Sequence, residues 1–222
     1  YNYVLWYGSD RTILVKHEKF PYTLPKFKAP KWIYLSSLGE HSLPFHKTIE
    51  EYLLENPQVK LAFQPGTYQM KFGTEALKDI YKRTEVFFCN VEEAERILGI
   101  DNKGNIKDLA KKISDLGPKI VCLTDGSNGS YAYEKEKDIL FFMPSYPDIK
   151  PPYERTGAGD AFSSTFTSAL ILGKTIEEAL MWAPINSMSV VQEIGAQKGL
   201  LTEEKILQYL KIAPEEYKPK II

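Results

Sequence analysis

One run of this chain combines residue types that could do chemistry together: Thr156-Gly157-Ala158-Gly159-Asp160-Ala161-Phe162. Small residues open a helical stretch there, so unpaired backbone N–H groups point outward with the positive end of the helix dipole behind them. That is a site for an anion. A carboxylate inside it, Asp160, is unfavourable unless it has a task, and taking a proton from an attacking hydroxyl is such a task. As a first-turn residue favoured by the dipole, Asp160 would be accounted for, but the two glycines would not.

Two further clusters each follow a short apolar run. Asn90-Val91-Glu92-Glu93 comes after VFFC, where an open α/β sheet places its ligand crevice, at the carboxyl ends of strands. The same three-residue spacing between Asn90 and Glu93 suits a helix cap with a reciprocal capping box, and both readings stand at this point. Thr124-Asp125-Gly126-Ser127-Asn128-Gly129 comes after KIVCLT. Its glycines and small polar residues would let the backbone approach a nucleotide or phosphate; a tight turn into SYAYEK accounts for them equally well.

Two look-alikes fail. GxGxxF at Gly157–Phe162 is preceded by PPYERT rather than an apolar strand and lacks the third glycine of a dinucleotide fingerprint. Gly173-Lys174-Thr175 imitates the end of a P-loop, yet Ser168 stands where the first glycine belongs. There Gly173 reads as the residue after a helix, and Thr175 with Glu178 as a capping box for the next.

The elements that must position these clusters alternate. WIYLSS, VKLAF, VFFC and KIVCLT are short apolar runs, separated by helical stretches at Leu43–Leu54, Gly73–Tyr81, Val91–Leu98 and Ile106–Leu116. Strands alternating with helices mark βαβ units and a parallel sheet covered on both faces. SYAYEK and DILFFM read as an antiparallel pair around the charged turn EKEKD. From Gly157 onward the pattern is helical, at Ala158–Leu172, Ile176–Val191 and Glu203–Leu210. Ahead of this body, YNYVLWY and RTILVKH around GSD read as a hairpin, followed by an irregular crossing with three prolines between Phe20 and Pro30. No internal repeat or low-complexity linker divides the body.

The composition excludes several classes. With 222 residues, 43% hydrophobic and 26% charged, the chain is long enough to bury roughly 70% of its unfolded surface without staples. Lys plus Arg is 28 and Asp plus Glu is 29, for a net charge of -1, which argues against a broad basic face for nucleic acid. Cys89 and Cys122 lie in apolar runs and read as inert core thiols in a reducing compartment. His17, His41 and His46 read as surface or loop residues, with no helical metal-ligand spacing among them. No apolar stretch reaches a membrane span, and the first residues lack a secretory signal, so the expectation is a cytoplasmic protein with no membrane partner. The first residue is Tyr1 rather than Met, and a native N-terminal portion is expected to be absent.

TGAGDAF, preceded by NVEEAE and TDGSNGS and followed by IGA at Ile194–Ala196, resembles the ribokinase-like, or PfkB, sugar kinases. The resemblance runs from the GSDRTILV hairpin to LLTEEKI. It implies a three-layer α/β/α sandwich with a mainly parallel sheet and a small β lid. Residues 1–19 would be part of the lid, and 20–222 the nucleotide-binding and phosphoryl-transfer domain. It implies transfer of the γ-phosphoryl of ATP to a hydroxyl, with Asp160 as the base and the amides of Gly157, Ala158 and Gly159 as the anion hole. Asn90 and Glu93 match the family's NxxE motif, which organises Mg²⁺, its waters and the ATP phosphates. Thr124, Asp125, Gly126, Ser127 and Gly129 match the loop lining the nucleotide, and the stretch around Asn186 would lie by the adenine. In relatives activated by K⁺, the positions here taken by Glu154, Thr156, Val190, Glu193 and Gly195 hold the ion; the family's usual aspartate is replaced by the longer Glu154. The acceptor implied is a pentose or hexose such as ribose or fructose, and a homodimer through the lid is a candidate assembly. A nucleoside kinase, favoured less because adenosine kinases commonly carry asparagine at the position of Thr156, and a non-catalytic nucleotide or metabolite sensor are the alternatives.

Overall fold

The structure is a computed structural model that describes residues 2–7, 10–15, 18–100, 104–153 and 155–222. The expected turn at GSD, His17 and Glu154 fall wholly or partly outside the described residues. β1 (Asn2–Tyr7) and β2 (Asp10–Val15) pair antiparallel as a separate two-stranded sheet. Among the described residues the main sheet has seven strands: β3 (Trp32–Leu35), β4 (Lys60–Phe63), β5 (Thr84–Asn90), β6 (Ile120–Thr124), β7 (Ser130–Glu134), β8 (Ile139–Met143) and β9 (Lys220–Ile221), side by side in chain order. The pairings from β3 to β6 are parallel and those from β6 to β9 antiparallel, so β8 runs with the first four.

Period-2 alternation along the strands feeds two cores. On β5, Phe87 and Cys89 face the helices before β7, α1 (Leu43–Glu55), α2 (Thr67–Ala76), α3 (Lys78–Arg83), α4 (Val91–Leu98) and α5 (Ile106–Asp115). Val86 and Phe88 face α6 (Ala158–Ile171), α7 (Ile176–Val190) and α8 (Glu203–Lys211). This is the expected three-layer α/β/α sandwich. Both cysteines are buried and unbridged, and burial pushes their thiols up, as expected for inert core residues. Among the described residues no helix is long and apolar enough to cross a membrane.

Three expectations need correction. The helix expected at Gly73–Tyr81 is two helices, and the first begins earlier, at Thr67, because Gln69 reaches back to cap the Gly66 N–H at 2.8 Å. Gly73, at φ 83, interrupts it. His46 is fully buried, not superficial: on α1 it shares the inward stripe of Ile49, Glu50 and Leu53, and its Nδ1 meets the Ser42 carbonyl at 2.8 Å. The C-terminal part is not purely helical, because the last residues return to the sheet as β9. Gly173 and the Thr175–Glu178 capping box close and open helices as expected, so the P-loop imitation is a helix-to-helix joint.

Candidate active site

The site forms where the carboxyl ends of β4, β5 and β6 meet the start of α6. Asn90 ends β5 directly opposite Thr124 at the end of β6, so two of the sequence clusters leave the sheet side by side. Phe88, one pleat before Asn90, packs edge-to-face on Phe166 at 5.7 Å and fixes α6 against the sheet. Ser187 Oγ on α7 donates to the Ala158 carbonyl at 2.8 Å and holds the first turn of α6 from its other side.

α4 begins with a complete capping box. Asn90 Oδ1 accepts from Glu93 N–H at 2.7 Å, and Glu93 Oε2 accepts from Asn90 N–H at 2.9 Å. The cap reading is therefore satisfied, and it also fixes where the half-buried Glu93 carboxylate sits. Burial pushes that carboxyl up, the Asn90 bond and Arg96 oppose the shift, and Glu92 and Asp160 add to it. The Asp160 influence places the two acids in one electrostatic neighbourhood.

α6 begins differently. Gly157 occupies the cap position in a left-handed conformation, φ 84, and no side chain caps the helix. A Cβ on Gly157 would lie 2.8 Å from that of Ala196, so this turn requires glycine both for its angle and for its closeness to the chain after α7. A Cβ on Gly159 would meet nothing within 4 Å; the backbone there faces open space. The Ala158 N–H turns back to Arg155 O at a long 3.4 Å, which leaves it loosely held. Asp160 is exposed, and its Oδ1 accepts from Gln64 Nε2 at 2.9 Å.

Beside this turn lies a cavity of about 260 Å³ lined by Thr124, Gly126, Ser127, Gly129, Ala158, Gly159, by Pro184, Ser187 and Met188 of α7, and by Val191 just after it. The Thr124–Gly129 loop thus serves both readings. It closes as a tight turn, with Asp125 N–H on Gly129 O at 2.9 Å, and it presents backbone to the cavity. Three expected ligand residues, Asn90, Asp125 and Asn186, do not line it; Asn90 is engaged in the α4 cap. Asp125 accepts from Asn128 Nδ2 at 3.1 Å within the loop. Asn186 is buried with both ends of its amide bonded, Nδ2 to Thr165 Oγ1 at 2.7 Å and Oδ1 from Leu201 N–H at 2.9 Å; these contacts tie α7 to α6.

Of the residues assigned to a monovalent cation, Glu154 lies outside the described residues. The Glu193 carboxylate is bound by Lys198 at 3.0 Å and Lys150 at 3.2 Å, which hold it below the usual range. The Val190 carbonyl accepts from Glu193 N–H at 3.3 Å. For a divalent ion, the described residues hold no group of three or more acidic, histidine or cysteine ligands. A single well-placed carboxylate fits Mg²⁺ all the same, because that ion keeps most of its waters and completes its shell with substrate phosphates. Glu93, whose carboxyl is pushed up by burial and acidic neighbours, suits this role.

Sequence reasoning missed Gln64 and Tyr34 entirely. Tyr34 stands on β3 and Gln64 just beyond β4, 126 and 96 residues from Asp160 in sequence, and no local pattern marks them. Met188 on α7 and Val191 at its end were missed because they look like ordinary core residues.

Residues 16–203 match the family model of the pfkB family carbohydrate kinases. A nucleoside kinase of Methanocaldococcus jannaschii is 30% identical over 153 residues, 68% of this chain and 47% of the relative. An ATP-dependent 6-phosphofructokinase of Thermoanaerobacterium thermosaccharolyticum is 31% identical over 173 residues, 75% of this chain and 52% of the relative. The chain therefore spans about half the length of these curated relatives. Among solved structures, a Methanocaldococcus jannaschii nucleoside kinase described as an archaeal member of the ribokinase family superposes with a TM-score of 0.68. It shares 24% identity, with 85% of this chain and 58% of that one covered.

Proposed function

The chain belongs to the pfkB family of carbohydrate kinases, and on that premise we propose that the full-length protein transfers the γ-phosphoryl of ATP to a hydroxyl of a small sugar. The observation that carries this reading is an exposed aspartate, Asp160, one residue beyond an uncapped, glycine-built helix start beside a cavity. Asp160 takes the proton from the acceptor hydroxyl as it attacks. The N–H groups at Gly157–Gly159, with the α6 dipole behind them, receive the charge that develops on the transferring phosphoryl group. Thr124, Gly126, Ser127 and Gly129 flank the nucleotide from the sheet side, and Pro184, Ser187 and Met188 from α7. In-line phosphoryl transfer asks mainly for positioning and charge stabilisation, and these groups supply both.

Glu93, steadied by Asn90, would hold Mg²⁺ through water. When bound, the ion supplies positive charge to the ATP phosphates. Lys150 and Lys198 already neutralise Glu193, which leaves that carboxylate poorly suited to K⁺. Reduced core thiols and an ATP substrate suit the cytoplasm. In the lid reading of residues 1–19, Tyr3, Leu5 and Leu14 share one exposed face of the hairpin, as a homodimer through that lid would need.

The second reading, a nucleoside acceptor on the same machinery, is favoured by the similarity to the nucleoside kinase. The test is ADP release by the full-length protein with ATP and Mg²⁺, offered ribose, fructose and other common sugars beside cytidine, adenosine and other nucleosides. One acceptor class should raise ADP release well above the background ATPase. Binding of ATP with no acceptor ever raising turnover would overturn the kinase reading in favour of a nucleotide sensor.

A further inference from the structure

We propose that Gln64, held by Tyr34, is a positioning residue that fixes the orientation of the Asp160 carboxylate. The inference rests on Asp160 being the base.

Gln64 is the first residue beyond β4. Its own N–H donates to the Leu35 carbonyl at 2.9 Å, extending the β3–β4 ladder by one residue, and Pro65 and the capped Gly66 follow it. Its backbone is therefore fixed on both sides. Its side-chain amide bridges two elements: Nε2 donates to Asp160 Oδ1 at 2.9 Å, and Oε1 accepts from the Tyr34 hydroxyl. Tyr34 stands on β3 with its ring 6.4 Å from that of Phe88. Burial pushes its phenol up, a Ser163 hydrogen bond partly opposes this, and the Asp160 charge adds to it, so the phenol keeps its proton as a donor.

The direction of these bonds carries the argument. An amide has one accepting and one donating end. The Asp160 carboxylate can only accept, so it takes the N–H₂ end and leaves Oε1 to the Tyr34 hydroxyl; a flip would set Oε1 against the carboxylate oxygen. One carboxylate oxygen is thereby restrained, and the other remains to receive the acceptor proton. A neutral amide suits this position because it orients a base without competing for its proton, as histidine would, and without neutralising it, as lysine would. The base is carried on the first turn of a helix with no side-chain cap, so its carboxylate gains its restraint from across the crevice. Misplacement by about 1 Å can cost on the order of 10²-fold in rate.

The test compares Gln64→Leu, Gln64→Glu, Tyr34→Phe and Asp160→Asn in the full-length protein, using whichever of ribose, fructose or cytidine it phosphorylates. Gln64→Leu should lower kcat by about 10- to 100-fold, with KM for ATP and for the acceptor within about twofold. Tyr34→Phe should lower it less, by about two- to tenfold, because the amide stays but its orientation loosens. Gln64→Glu puts a second carboxylate beside the base, so the acidic limb of its kcat–pH profile should move to higher pH. Unchanged kcat in Gln64→Leu, or a raised acceptor KM at unchanged kcat, overturns the inference, the latter making Gln64 an acceptor contact. An unmoved acidic limb in Gln64→Glu overturns it as well, and serves if Gln64→Leu does not fold. Full turnover by Asp160→Asn would instead remove the base and the inference together, so the two failures are distinguishable.

Discussion

Two helix starts face the same crevice and are built in opposite ways. α4 is closed by its own side chains: Asn90 and Glu93 satisfy each other's backbone N–H groups. α6 is left open, with glycine at its cap, no capping side chain and a second glycine facing empty space. A closed start cannot receive an anion at the amides it has already paired, but it holds a carboxylate rigidly. An open start is less stable by itself, and its N–H groups remain for a ligand. On the proposed reading, α4 would hold the metal and α6 the phosphoryl group, while Gln64, bonded to Asp160 at 2.9 Å, would restrain the carboxylate that α6 carries.

Substitutions at the two starts should therefore fail in different ways. Asp160→Asn should have the largest effect, lowering kcat by about 10²–10⁴ in steady-state assays while ATP affinity by calorimetry stays within about twofold. Next, Gly159→Ala should cost about 10²–10³ in kcat with no loss of melting temperature, because its methyl enters open space that the phosphoryl group needs. Gly157→Ala should instead lose stability, by about 1–2 kcal/mol for the left-handed angle alone, plus the Ala196 clash, readable by urea unfolding. If both glycines behaved alike, the open-start reading would lose its basis.

At the closed start the effects are smaller and fall first on stability. Asn90→Ala removes a cap and should cost about 1 kcal/mol. Glu93→Gln keeps an oxygen for the Asn90 N–H, yet should reduce turnover by weakening the hold on Mg²⁺. Its stability should move the other way. Burial raises the Glu93 carboxyl in the fold, so the wild type is not penalised below the unfolded value and loses stability as pH rises through the folded one. Glu93→Gln should therefore match the wild type in acid and melt higher at neutral pH. A variant that melts lower at pH 7 would show that the carboxylate is stabilising there.

Much of this was legible because it is local. Strands and helices alternate with their proper periods, α4 spans the expected Val91–Leu98, two of the clusters sit at the ends of β5 and β6, and the third opens α6. What was not legible depends on distant contacts. His46 looks like a surface residue until α1 turns its stripe inward. Asn186 looks like a ligand until Thr165 and Leu201 are seen to consume its amide. Gln64 reaches Asp160 across 96 positions of sequence, a distance at which spacing carries no signal. β9 is two residues long, too short for any alternation to register.

The contrast between the two starts can be measured directly by following backbone amides of the isotopically labelled full-length protein. The probe is Mg²⁺-ADP with aluminium fluoride, which mimics the transferring phosphoryl group. The Gly157 and Gly159 amide protons should shift downfield as they gain a charged acceptor, while the Glu93 amide, already bonded to Asn90, should stay in place. A moved Glu93 amide beside unmoved glycines would contradict the account.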